Sequence, residues 1–211
     1  MLSIYFTQKS SIMTPLFWDW CRQQLPLNIL HKIDRKRSKT KMQNSLLGYV
    51  LLKEVLKKNG LVNEIELLTH NFLGRPTIQG DFDFNISHSD EYVVCAFSRK
   101  HQVGIDIEKT KPISLDFIRT FFSPKEWQQM QLSQNSENSF YELWTKKEAV
   151  VKADGRGLTI PLKEIIIEHT QGFVEKVKWF LQEIPLNQNY RMHVATNEPI
   201  QEYLRVKISF R

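Results

Sequence analysis

The chain has 211 residues, 41% hydrophobic and 25% charged, with eight Gly and eight Pro. That is enough for one large domain or two smaller halves, and it excludes a collagenous, low-complexity or largely disordered protein. Lys and Arg number 29 against 23 Asp and Glu, a formal charge of +6, which invites a phosphate-bearing partner.

The excess is concentrated. Residues 32–58 hold nine basic and two acidic side chains, a net +7, while the remainder carries −1. Nucleic acid, anionic lipid or a small polyphosphate would each match such a segment, and a solvated helix face is the plain alternative. Cys21 and Cys95 lie among apolar residues; two cysteines are too few for a disulfide framework and read as buried free thiols. Residues 1–13 lack a basic stretch followed by an apolar run, and no apolar window approaches ~18 residues, so a soluble cytoplasmic protein is expected.

In chain order, residues 2–7 read as a strand and residues 14–24 as a short aromatic helix closed by Pro26. Met42, Leu46, Val50, Leu51 and Val55 recur at helical spacing up to Asn59-Gly60, which marks a long helix over 42–58 carrying the basic segment. Residues 64–70 read as a strand, Gly74-Arg75-Pro76 as a turn, and 82–87 as a strand ending in a polar Ser87-His88-Ser89-Asp90 corner. Residues 92–98, rich in Val and aromatics, predict a central strand, and 103–108 another strand. A helix is expected over 115–122. Ser123-Pro124-Lys125-Glu126 then carries a capping serine, Pro at the first helical position and Glu at the third. Ser139-Phe140-Tyr141-Glu142 repeats that pattern and predicts a helix from 139 to about Ala153, ended by Gly155 or Gly157. Between the two, residues 131–138 read as a mobile polar loop facing a partner, and Phe121, Phe122, Trp127 and Met130 as a docking face or as core. Residues 160–167, 174–183, 190–196 and 203–210 read as strands, most simply antiparallel. No internal repeat or linker is visible.

Three places carry chemistry. In Val103-Gly104-Ile105-Asp106-Ile107-Glu108 the alternation puts Asp106 and Glu108 on one face, roughly 6.5–7 Å apart. A solvent face tolerates such a pair; a divalent cation makes it favourable, and hard oxygen ligands select Mg²⁺ over zinc. Glu148 and Lys152 are four apart and neighbours on one helical face, which also holds Tyr141, Trp144 and Thr145. That spacing is an ordinary exposed pair or, beside Asp106 and Glu108, a third metal ligand with an ammonium next to it. Ser87 and His88 in a corner offer phosphate donors, and Arg75 offers a guanidinium on a rigid turn.

The runs GRP (74–76), FNISHS (84–89), VGIDIEKTKPI (103–113), FFSPKEW (121–127) and FYELWTKKEAVVKADGRGL (140–158) occur in this order and spacing. Together they resemble the 4′-phosphopantetheinyl transferases of the surfactin-synthetase-activating type, over about residues 46–161. The pairing of G-[IV]-D-x-E with W-[ST]-x-K-E-x-x-x-K some forty residues later is what makes the resemblance specific. It implies an α/β (α+β) fold of two similar halves related by a pseudo-twofold axis. Each half would be a mostly antiparallel sheet packed with a long helix, and the active site would lie in the cleft between them. The halves would be 1–102, contacting the phosphates and adenine of coenzyme A, and 103–211, holding the metal and docking the carrier.

The implied activity is Mg²⁺-dependent transfer of the phosphopantetheine arm of coenzyme A to a serine of an apo acyl or peptidyl carrier protein. The enzyme would be a cytoplasmic monomer that engages neither nucleic acid nor membrane. By the same resemblance Asp106, Glu108 and Glu148 are the metal ligands, Glu148 is also the general base, and Lys152 assists the departing 3′,5′-ADP. His88 and Ser87 fall at contacts to the 3′-phosphate side, Arg75 near the adenine and 3′-phosphate, and Lys32 and Ser45 at phosphate-binding positions. Ile29 falls where another basic ligand is expected, with Arg35 or Arg37 as substitutes. Glu126 is better explained by its capping box than by catalysis. The rival readings are a Mg²⁺-dependent nuclease and a nucleic-acid-binding module using the +7 segment.

Overall fold

A computed structural model describes residues 1–9, 13–114 and 118–210, and divides the chain into two units, Met1–Lys100 with Glu202–Arg211, and His101–Gln201. It is a mixed α/β fold in which each unit builds its own sheet and packs one long helix on it.

The first unit opens with β1 (Leu2–Gln8). Next comes α1 (Pro15–Gln23), where the Thr14 hydroxyl accepts from Phe17 N–H and Pro15 occupies the first turn. The following helix, α2 (Leu27–Asp34), escaped the sequence reading because it spans only eight residues and has no side-chain cap. Its Ile29, Leu30 and Ile33 are buried, so the position expected to hold a further basic ligand serves the core. The long helix α3 (Lys39–Lys58) starts one turn earlier than expected, at a Ser38 cap. It stops at Asn59-Gly60, where Gly60 takes φ +78°.

The strand expected over 64–70 is mostly a 3₁₀ turn, Glu64–Leu67, followed by the short β2 (Thr69–His70). Ile65 and Leu68 are the buried pair there, and their spacing of three suits a 3₁₀ turn better than a strand. β2 pairs with β3 (Pro76–Thr77) around the GRP turn, where Gly74 takes φ +88°. β4 (Asp83–Ser89) runs through the Ser-His-Ser triplet. The corner therefore falls later than expected, at Asp90, whose φ is +47°, before β5 (Tyr92–Ser98). β5 is central, between β1 and β4.

In the second unit, β6 (Val103–Lys109) is followed by a 3₁₀ turn at Arg119–Phe121; the rest of the helix expected over 115–122 includes residues outside those described. α4 (Pro124–Leu132) carries the full capping box: Ser123 N–H donates to Glu126 Oε2 at 2.8 Å and Glu126 N–H to Ser123 Oγ at 3.3 Å. α5 (Ser136–Asp154) begins a turn before the expected capping serine, capped by Asn135, so the polar loop shrinks to residues 133–135. Ser139 lies inside the helix and donates to Ser133 Oγ instead. Gly155, at φ +81°, ends α5.

β7 (Ile166–Glu168), β8 (Gln171–Val174), β9 (Val177–Glu183) and β10 (Tyr190–Thr196) complete an antiparallel sheet ordered β6-β10-β9-β8-β7. The single strand expected over 174–183 is a hairpin that turns at Glu175, φ +54°. Ala149, Val150 and Ala153 of α5 pack with Trp179, Leu181 and Ala195 beneath. Phe122, Trp127 and Met130, offered as docking residues, are buried with Phe140 and Tyr141 in a second cluster; Phe121 and Leu132 are the exposed apolar side chains there.

The last strand, β11 (Tyr203–Lys207), pairs with β1, and in parallel rather than antiparallel fashion. The sequence reading placed it in the second half; the structure puts it in the first unit's sheet, ordered β11-β1-β5-β4.

A buried lysine ties α4 to α5. Lys147 has no exposed surface, and its Nζ donates to Glu126 Oε2 at 2.8 Å and to Leu162 O at 2.8 Å, with the Phe122 ring 5.5 Å away. Burial pulls its pKa down and the Glu126 carboxylate opposes that. Lys147→Ala is expected to lower stability by about 3–5 kcal/mol in urea unfolding, because it leaves a mostly buried carboxylate without its cation. Lys147→Met combined with Glu126→Gln should recover most of that loss.

Candidate active site

The second unit's site rests on a close approach of backbones. A Cβ placed on Gly104 would lie 2.1 Å from Ala149 O and 2.2 Å from Ala153 N, so α5 presses directly on β6 at this residue. Strand alternation turns Asp106 and Glu108 to the same side as Gly104, toward α5. The solvent-face reading of the acidic pair therefore fails for Asp106, which is 4% exposed.

Asp106 Oδ1 accepts from Lys152 Nζ at 2.5 Å. Glu148, one turn before Lys152, has its pKa raised by burial and by the Asp106 charge, with Lys152 opposing. Two carboxylates and one ammonium are thus held together on the α5 side of the sheet. Glu108 acts further along the helix, where its charge adds to burial in raising the Tyr141 phenol. Among the described residues, no three acidic, His or Cys side chains gather into a ready-made metal cage. The donor set nevertheless suits a hard dication. Its atoms are carboxylate oxygens, and Asp106 and Glu148 oppose each other's charge where burial weakens screening, a conflict that a cation reverses.

One neighbour of this cluster went unnoticed in the sequence. His193 stands directly opposite Asp106 in the β6–β10 register and is buried. Its Nδ1 is 2.8 Å from Thr145 Oγ1, which itself donates to Tyr141 O at 2.7 Å, so the hydroxyl proton is used and His193 Nδ1 carries the other. Burial, then Lys146 and Arg191, push its pKa down to about 3, which keeps the ring neutral. An isolated His alternating with Met192 and Val194 was the signal available.

In the first unit, Lys32 lies on α2 and Ser45 on α3, both half-buried. Burial and then Lys36 lower the Lys32 pKa, and burial followed by Lys32 and Lys36 lowers that of His70, so these cationic side chains crowd one another. Tyr49 Oη lies 2.9 Å from His70 Nε2. Arg75 Nη2 donates to both Asp83 carboxylate oxygens, at 2.9 and 2.7 Å, and to Phe84 O at 3.3 Å, so its guanidinium engages an acid of its own unit. Ser87 and His88, expected together in a corner, are successive residues of β4 and point to opposite faces, Ser87 buried and His88 exposed.

The sequence pattern of the 4′-phosphopantetheinyl transferase superfamily matches residues 102–203, which include Asp106, Glu108, Glu148 and Lys152. The chain is 39% identical over 158 residues to the 4′-phosphopantetheinyl transferase gsp of Aneurinibacillus migulanus, covering 74% of this chain and 62% of that protein. It is 34% identical over 202 residues to the 4′-phosphopantetheinyl transferase Sfp of Bacillus subtilis (strain 168), covering 90% and 84%. A third similarity, 32% over 181 residues and 80% and 77% of the two chains, is to the 4′-phosphopantetheinyl transferase ffp of Bacillus subtilis.

Proposed function

The chain belongs to the 4′-phosphopantetheinyl transferase superfamily, and from that premise we propose that it transfers the 4′-phosphopantetheine arm of coenzyme A to a serine hydroxyl of an apo carrier protein, releasing 3′,5′-ADP. The observation that carries this reading is the Asp106, Glu148 and Lys152 cluster, three ionisable groups held together where burial makes each charge matter.

Asp106, Glu108 and Glu148 would hold Mg²⁺, whose chemistry is to neutralise pyrophosphate charge and stabilise the leaving oxygen. Glu148 takes the proton of the serine hydroxyl. Its raised pKa suits that task, because a base that binds protons more tightly accepts one more readily near neutral pH. The serine oxygen then bonds to the β-phosphorus and the bond from phosphorus to 3′,5′-ADP breaks. Lys152 donates from Nζ to the departing phosphate, exchanging its present bond to Asp106 for one to substrate.

On the first unit, Lys32, Ser45 and His88 supply cation, hydroxyl and ring donors for coenzyme A phosphates. Arg75 joins them with its Nη2 held on Asp83, and Ser87 leaves β4 on the face opposite His88. The similarity to 4′-phosphopantetheinyl transferases over most of the chain favours the transferase over the nuclease and nucleic-acid readings. Among the described residues no helix is long and apolar enough to cross a membrane. Two buried free thiols, Cys21 with its pKa pushed up to about 12 by burial, fit a reducing cytoplasm.

Incubation with coenzyme A, Mg²⁺ and a panel of apo carriers should give a phosphopantetheine adduct by mass spectrometry. Absence of the adduct on every carrier overturns the reading.

A further inference from the structure

We infer that Lys9 and Asn44 are positioning residues that fix which nitrogen of the His88 ring carries its proton, making His88 a preset Nε2–H donor for a phosphate oxygen. The ligand's identity rests on the transferase reading; the proton's location does not.

Lys9 follows β1, and its backbone N–H donates to Glu91 O at 2.8 Å. Its Nζ donates to Asn44 Oδ1 at 2.5 Å, and Asn44 Nδ2 lies 3.4 Å from His88 Nδ1. An ammonium has only protons to offer, so the oxygen end of the Asn44 amide must face Lys9. The NH₂ end then faces His88, and because that group is only a donor, Nδ1 must be the bare nitrogen. In a neutral imidazole the remaining proton sits on Nε2. Asn44 is 8% exposed, so turning its amide over would set oxygen against ring nitrogen and NH₂ against ammonium with little water to relieve either clash. Protonating Nδ1 would meet the same donor and bring a second positive charge toward Lys9.

His88 sits at the exposed end of β4, on the same strand face as the core residues Phe84 and Ile86, and Asn44 reaches it from the first turns of α3. Strand and helix thus place the ring, Asn44 sets its protonation, and Lys9 sets Asn44. A ring free to exchange tautomers would lose its donor part of the time.

The test is long-range ¹H–¹⁵N NMR on protein labelled at histidine, with the His88 signal identified by its loss in His88→Gln. Wild type is expected to show the Nε2–H tautomer. Asn44→Asp replaces the donor facing Nδ1 by an acceptor and should move the proton to Nδ1. Lys9→Met lets the Asn44 amide turn and should give a mixture of tautomers, which Lys9→Arg, a donor-only substitute, should prevent. With coenzyme A, Lys9→Met is expected to raise KM about five- to tenfold, the effect of weakening one phosphate hydrogen bond, with kcat within about twofold. An Nδ1–H wild type, or a tautomer unmoved in both Asn44→Asp and Lys9→Met, overturns the inference. Failure of wild type to transfer phosphopantetheine would instead overturn the assigned activity and leave the NMR result standing.

Discussion

Glu148→Gln is expected to fold normally, melt no lower than wild type, and transfer phosphopantetheine about 10²- to 10⁴-fold more slowly, the range over which a positioned general base accelerates proton transfer. The two halves of that expectation have one cause. Burial and the Asp106 charge already disfavour the ionised Glu148 side chain, so an uncharged amide of the same shape relieves a conflict. The same amide can neither accept the serine proton nor act as an anionic ligand. Lost activity with retained or increased stability separates a working group from one that merely supports the fold. Single-turnover transfer and thermal melting on the same samples give both numbers, and near-normal turnover would remove Glu148 from the role assigned to it.

Gly104→Ala should act in the opposite way, through structure first. The added Cβ would meet Ala149 O at 2.1 Å and Ala153 N at 2.2 Å, which are helix backbone atoms and cannot rotate aside. α5 must lift from β6 and loosen the packing of Val150, Trp179 and Leu181 beneath it. A loss of about 3–5 kcal/mol in urea unfolding is expected, at the upper end for overpacking because backbone rather than a side chain must give way. Any protein that does fold should transfer poorly, since lifting the helix separates Glu148 and Lys152 from Asp106. Gly48→Ala is the control. Its Cβ would lie 3.2 Å from Ile86 Cγ2, a methyl that can shift, so its cost should stay near 1 kcal/mol.

Gly104 also shows what kind of information was legible in the sequence. As a letter in G-[IV]-D-x-E it helped identify the family, but nothing local revealed that it faces Ala149 and Ala153. Elements with a strong period or an explicit cap were readable: β1, α1, the body of α3, β5, β6, α4 and β10. The reading failed where one signal competed with another. At 64–70 a 3₁₀ turn stands where a strand was expected, and at Ser139 a capping pattern lay inside a helix already begun at Asn135. The candidate site divided in the same way. Asp106, Glu148 and Lys152 were suggested by spacing within single elements. The buried Lys147, the neutral His193 and the Asn44 bridge depend on partners from other elements, and pairs across folded elements leave no mark in local pattern.

The parallel pairing of β11 with β1 bears on the order in which a nascent chain can complete its parts. β1 lies between β5 and β11, with Leu2 opposite Tyr203, so the first unit to be translated cannot close its sheet until the second has been made. The second unit's two ends are near each other, since Gln102 N–H donates to Asn197 Oδ1 at 2.8 Å. In topology, then, it is an insertion between the penultimate and last pieces of the first unit. During synthesis the inserted unit has all its strands while its host still waits with one edge of β1 unpaired, and β11 completes that sheet only after the inserted unit has been made.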